Sequence, residues 1–340
     1  MTKATTTLPL IIAATFGVAL PAFAAEELNL YSARHYDTDE QLYSDFTKAT
    51  GITINRIEGQ SDELLTRMGA EGANSPADIL ITVDTSRLKR AKDAGVLQSV
   101  ESEILEAAIP ANLQDSDNQW FGISQRARII FYDKDAVANP PKTYADLADP
   151  AYKGMVCIRS SSNTYNQTLL AAIVEHEGKE AATAWAQGVV DNMARSPQGG
   201  DTDQLRGIVS GECAIAVSNT YYFARALRTD VDGVSPQVDR IGWVFPDQDG
   251  NGAHVNLSGV GVAKHAPNRE NAVKFLEYLV SEQAQRYFAD GNDEYPVVSA
   301  FKGNDALQQL GEFKADEVDL SAVATKLPVA LEIFNQVGWK

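Results

Sequence analysis

Short apolar runs of strand character alternate with helical segments along almost the whole chain, and this alternation limits the fold to an α/β architecture. The first strand is read at 28–32. A helix follows at 39–50, with Leu42, Phe46 and Ala49 on one face. Strands at 52–58 and 79–83 frame a helix at 61–70, and a further helix at 88–94 stops at Gly95. The run from 120 to 132 is long, apolar and β-rich, long enough to carry the chain out of a first lobe. Beyond a Pro-Pro turn at 140–141 a second set begins: strand 155–159, helices 165–177, 179–191 and 202–210, strand 213–217 and helix 221–228. The glycine-punctuated β-rich run 242–262 returns the chain. Two α/β lobes joined by two crossing strands make a hinged clamp that closes on a small ligand in its cleft. The expected boundaries are 25–123 with 255–290 for one lobe and 124–254 for the other. Residues 291–340 form a helical C-terminal segment packing on the lobes.

Residues 1–24 read as a secretory signal peptide. Lys3 supplies the positive start, 8–20 the short apolar run and Ala22-Phe23-Ala24 the cleavage signal. The cleavage site carries no cysteine for a lipid anchor, and no later segment is apolar enough to span a bilayer. The expected location is the bacterial periplasm, free of the membrane. A formal net charge of -17 argues against nucleic acid as a partner. An oxidising compartment gives the two cysteines meaning: Cys157 and Cys213 each lie in a strand-like run, and a bridge between neighbouring strands is preferred over two buried thiols.

Open α/β sheets bind ligands beyond the carboxyl ends of their strands, so the strand-to-helix junctions hold the candidate site. After strand 28–32 come Arg34, His35 and Tyr36, with Thr38 and Gln41 spaced as a capping box. After strand 155–159 come Ser160 to Thr164 and then Tyr165, with a second such box at Thr164 and Gln167. After strand 213–217 come Asn219 and Thr220, either able to cap a helix that opens with Tyr221 and Tyr222. One histidine and four tyrosines thus gather at the cleft mouth. Phenolate oxygen is a hard anionic donor suited to a hard cation such as Fe(III). Arg34 and Arg126 can balance excess phenolate charge from behind. From spacing alone, sugar stacking and plain packing remain open for these rings, and 160–164 could cradle an anion at a helix start. His176 reads as a solvated surface residue, His254, in the return crossing, as a packing residue in preference to one facing the cleft, and His265 as a residue without a role.

Several segments together resemble the periplasmic ferric-iron-binding proteins of bacterial ABC iron transporters, in particular their cyanobacterial-type branch. They are Tyr31-Ser32-Ala33-Arg34-His35-Tyr36, Ser124-Gln125-Arg126-Ala127-Arg128, the stretches 141–147 and 152–154, Ser218-Asn219-Thr220-Tyr221-Tyr222, the return segment 254–262 and Glu294-Tyr295-Pro296-Val297. The resemblance implies a type II periplasmic-binding fold. It also implies His35, Tyr36, Tyr165, Tyr221 and Tyr222 as ligands of Fe(III), carried as cargo. With five protein donors no synergistic anion is expected, and one water fits. The implied partners are an inner-membrane permease and its ATPase, met by a monomer. The alternatives are the same clamp holding an oxyanion or small organic solute, and an exported hydrolase. For the hydrolase the chain offers no G-x-S-x-G elbow, no H-E-x-x-H, no P-loop and no C-x-x-C.

Overall fold

The computed structural model describes Met1 and residues 26–34, 36, 38–298 and 301–340. The expected signal peptide, apart from Met1, and His35 lie outside the described residues. Among these, ten strands are present: β1 (Glu27–Ser32), β2 (Thr53–Glu58), β3 (Ile79–Val83), β4 (Leu97–Gln98), β5 (Phe121–Asp133), β6 (Val156–Cys157), β7 (Ile215–Asn219), β8 (Ile241–Val244), β9 (Val255–Ala263) and β10 (Tyr295–Pro296). The first helices are α1 (Asp39–Thr50), α2 (Ser61–Glu71), α3 (Thr85–Asp93) and α4 (Glu103–Ala108). Then follow α5 (Thr164–Asn192), α6 (Asp201–Ser210), α7 (Thr220–Arg228), α8 (Arg269–Leu279) and α9 (Glu282–Arg286). The chain ends with α10 (Asp305–Leu310), α11 (Leu320–Thr325) and α12 (Leu327–Val337).

The strands run in the order β2-β1-β3-β9-β5-β7-β6. β1 is parallel to β2 and β3, and β6 is parallel to β7. β5 joins the two lobes. Its residues from Phe121 to Ala127 pair with β9, and from Arg128 onward it pairs with β7 and β8. Helices cover both faces of such a strand, so almost every residue of β5 is buried. The chain crosses back between β8 and β9.

Several local readings are corrected. β6 is shorter than the expected 155–159. Helices 165–177 and 179–191 form one run, α5, interrupted by Gly178 at φ 85°, a left-handed conformation that glycine adopts without a Cβ clash. Neither capping box forms. Thr38 is itself helical and donates its hydroxyl to Asn292 Oδ1 at 2.8 Å, a tertiary bond that outcompetes the local one. α5 begins after Asn163 rather than Thr164, and Gln167 donates to the Ser161 carbonyl instead of reaching back. At α7 the N-cap is Asn219, but its side-chain oxygen accepts from Arg128.

The C-terminal 291–340 is spread over the molecule. β10 extends the sheet at Ser124 and Gln125, α10 lies on α7, and α11 and α12 pack on α5. Cys157 in β6 and Cys213 just before β7 form a disulfide with Cα atoms 5.8 Å apart. Gly207 of α6 lies directly over it: a Cβ there would stand 2.6 Å from the Cys213 sulfur.

Candidate metal centre

Parallel neighbours send their following loops to the same sheet edge, and this is how β6 and β7 bring their tyrosines together. Tyr165 is the second residue of α5, and Tyr221 and Tyr222 are the second and third of α7. Neighbouring positions at a helix start diverge by about 100°, so both α7 rings can turn toward one space. The Tyr165 and Tyr221 hydroxyls are 3.3 Å apart, and the rings of Tyr221 and Tyr222 lie against each other, tilted by 30°, with centroids 4.1 Å apart. Tyr36 comes from the opposite lobe, in the loop between β1 and α1. It is close enough to feel the charge of Tyr165 and to act on Tyr221. Four phenols from three junctions therefore share one centre.

Cationic side chains line the back of this centre. The guanidinium carbons of Arg126, Arg128 and Arg159 stand 5.8, 5.9 and 5.8 Å from the Tyr165 ring centroid. Arg34 sits 4.7 Å from the Tyr36 ring and Arg225 5.9 Å from that of Tyr221. Such placements favour negative charge on the ring oxygens as well as cation–π contact. Arg34 and Arg126 are tied to buried Glu294 at 3.1 and 3.3 Å and share the Ser258 hydroxyl. Ser124 also donates to Glu294, at 2.6 Å. Burial alone would push the Glu294 carboxyl up, but the two arginines outweigh it and hold the group below its ordinary value. Arg126 keeps Nε and Nη2 without hydrogen-bond partners among the described residues. Arg128 donates to Asp201, Asn219 and Asn166, and Asp201 also receives Arg159 at 2.8 Å.

Tyr36, Tyr221 and Tyr222 are held protonated by their surroundings. Burial, then the charge of Glu294, pushes Tyr36 up to about 12. Burial also raises Tyr221 well above the ordinary phenol value, with the neighbouring tyrosines adding to it. Tyr222 is raised by burial and then by Asp201. A centre of neutral phenols inside a ring of guanidinium groups can become anionic once a cation replaces the protons. Among the described residues no group of three or more His, Cys, Asp or Glu side chains could hold a metal. The hard donors in the cleft are phenols.

Of the residues expected at the site, the structure brings together Tyr36, Tyr165, Tyr221, Tyr222, Arg34 and Arg126. His35 lies outside the described residues. Ser160 and Ser162 bond to each other at 2.7 Å and line a separate cavity of about 520 Å³. His176 is at the surface with its Nε2 2.8 Å from Asp316, and His254 is buried. Arg128, Arg159, Asp201 and Glu294 were not foreseen at the centre. Arg128 was legible, since period-two alternation along β5 puts it on the same face as Arg126. Glu294 is 168 residues from Arg126, and no local signal joins them.

A two-lobed α/β clamp with a polar centre between its lobes is a solute-binding protein. Residues 74–313 match the bacterial extracellular solute-binding protein family, and the chain belongs to it. It is 51% identical over 93% of its length to Iron uptake protein A1 of Synechocystis, covering 88% of that protein. It is 27% identical to the Major ferric iron-binding protein of Neisseria meningitidis serogroup B, covering 97% of this chain and 98% of that protein. Among solved structures, the Trichodesmium IdiA (FutA) protein in complex with iron and citrate ligands matches with TM-score 0.89 and 48% identity. That match covers 92% of this chain and all of that one. The fold is thus the type II periplasmic-binding fold.

Proposed function

We propose that the protein captures Fe(III), closes over it and presents the closed form to a membrane permease coupled to an ATPase. The reading makes it a carrier rather than an enzyme. The observation that carries it is the meeting of four phenol groups, drawn from both lobes, in front of Arg126. Its relatives named for ferric iron support the same cargo. Tyr36, Tyr165, Tyr221 and Tyr222 are the ligands in this reading, with His35 as the fifth donor and a water as the remaining one. Four phenolates exceed the charge of Fe(III) by one, and Arg126 with Arg34 offsets the excess. Residues 25–123 with 255–290 and residues 124–254 are the moving bodies, hinged where β5 and the 245–254 segment cross. Residues 1–24 direct export to the periplasm. No helix among the described residues is long and apolar enough to cross a membrane.

Titration with ferric nitrilotriacetate tests the reading. A visible phenolate-to-iron charge-transfer band should grow to one equivalent, and the Tyr221→Phe/Tyr222→Phe double variant should lose it. Full-strength binding without colour would overturn the assignment.

A further inference from the structure

A second cavity, of about 320 Å³, lies away from the tyrosines, where α5 meets the returning 251–254 segment. α5 connects the two places. Tyr165 opens the helix, and Leu169, Ala172 and Ile173 face the cavity about 6–12 Å further along its axis at 1.5 Å per residue. Those three side chains, with Ala148 and Trp185, make an apolar wall.

The rest of the lining is polar. Glu177, one turn beyond Ile173 on α5, lines it together with Asp247, Asp316 and His176, and among the described residues no lysine or arginine does. His176 takes up part of Asp316. His254 also lines the cavity. It is 2% exposed, and neither of its ring nitrogens has a hydrogen-bond partner among the described residues. Burial pulls its imidazole down to about 4, so the ring is neutral at ordinary pH and offers one bare acceptor nitrogen. Asp316 acts on it from the acid side and Arg128 and His176 from the basic side, and the Arg128 guanidinium is committed to Asp201, Asn219 and Asn166. A buried polar group without a partner is costly, and three carboxylates beside an apolar wall repel anions.

We propose that this cavity binds a small organic cation, a primary ammonium on a short aliphatic body. The ammonium donates to the His254 acceptor nitrogen and to the Asp247 and Asp316 carboxylates, while the chain lies along Leu169, Ala172 and Ile173. The site is separate from the tyrosine centre and does not depend on what that centre binds.

Calorimetry on the full chain, with and without Fe(III), tests this with three probes of equal length: hexylamine, hexan-1-ol and hexanoate, at physiological salt. Hexylamine should bind one to one and at least tenfold tighter than hexan-1-ol, and hexanoate should not bind. Ala172→Leu, which fills the cavity, should abolish the hexylamine signal and leave the ferric charge-transfer band unchanged. Asp247→Asn keeps an acceptor for the Tyr144 backbone N–H and should weaken hexylamine about tenfold while leaving hexan-1-ol unaffected. Equal affinity for amine and alcohol, binding of hexanoate, or an undiminished amine signal in both variants would each overturn the proposal. The charge-transfer band is read independently, so loss of iron binding and loss of amine binding are distinguishable.

Discussion

Loading of the tyrosine centre should be a proton-release reaction with a countable stoichiometry. Four phenols converge, and the environment of Tyr36, Tyr221 and Tyr222 keeps those three protonated in the absence of a cation. With Tyr36 at about 12, removing its proton at pH 7 costs about 7 kcal/mol, taking about 1.36 kcal/mol per pKa unit. Tyr221 and Tyr222 start above the ordinary phenol value of about 10, so each costs more than about 4 kcal/mol. Only the ligand bonds to a trivalent cation offset such amounts, and the protons leave as those bonds form. Affinity should therefore fall by about four powers of ten for each pH unit below neutrality. Acid favours release because protons and iron compete for the same oxygens. The assay is calorimetric titration with ferric nitrilotriacetate in buffers of different ionisation heat, with the proton uptake of the freed chelator subtracted. Wild type should release four protons and Tyr221→Phe three. Two protons or fewer, or the same count in both proteins, would refute the argument that these four rings act as one ligand set.

The buried acid behind the site gives an independent test. Glu294→Gln leaves Arg126 with only the Ser258 hydroxyl as a strong partner, while Arg34 keeps Asp39 at 3.2 Å. Breaking a buried pair in this way costs about 3 kcal/mol at the low end, given the acceptor that glutamine retains. Thermal unfolding of the iron-free protein should drop by about 6–12 °C, at about 2–4 °C per kcal/mol for a lobe of this size. The same change removes a charge that raises Tyr36, so the pH of half-release of iron should move down, and an upward shift would contradict the geometry. The Cys157–Cys213 bridge closes a separation of 56 residues, worth about 4 kcal/mol of unfolded-chain entropy. Denaturant unfolding of Cys157→Ser/Cys213→Ser should show a loss of that order, with proton release on iron binding still at four.

The order of strands and helices was legible from the alternation of apolar runs, because each element is built from local periodicity. The helix at 39–50 and the strand at 79–83 stand where the pattern put them. So were the tyrosines, since each follows a strand and opens a helix or a loop before one, and such junctions face a cleft. Details set by competition went otherwise. Thr38 gives its hydroxyl to Asn292, more than 250 residues away, and a capping pattern carries no information about so distant a rival. The electrostatic backing of the site likewise belongs to tertiary structure. Glu294 and Asp201 reach their arginines only because β10 pairs with β5 and α6 lies under β7. Sequence alone thus determined which donors this protein owns and at which edges of the sheet they emerge. Folding decided their separations, the charge that surrounds them and therefore their protonation, because these depend on distance and burial between segments that are remote along the chain.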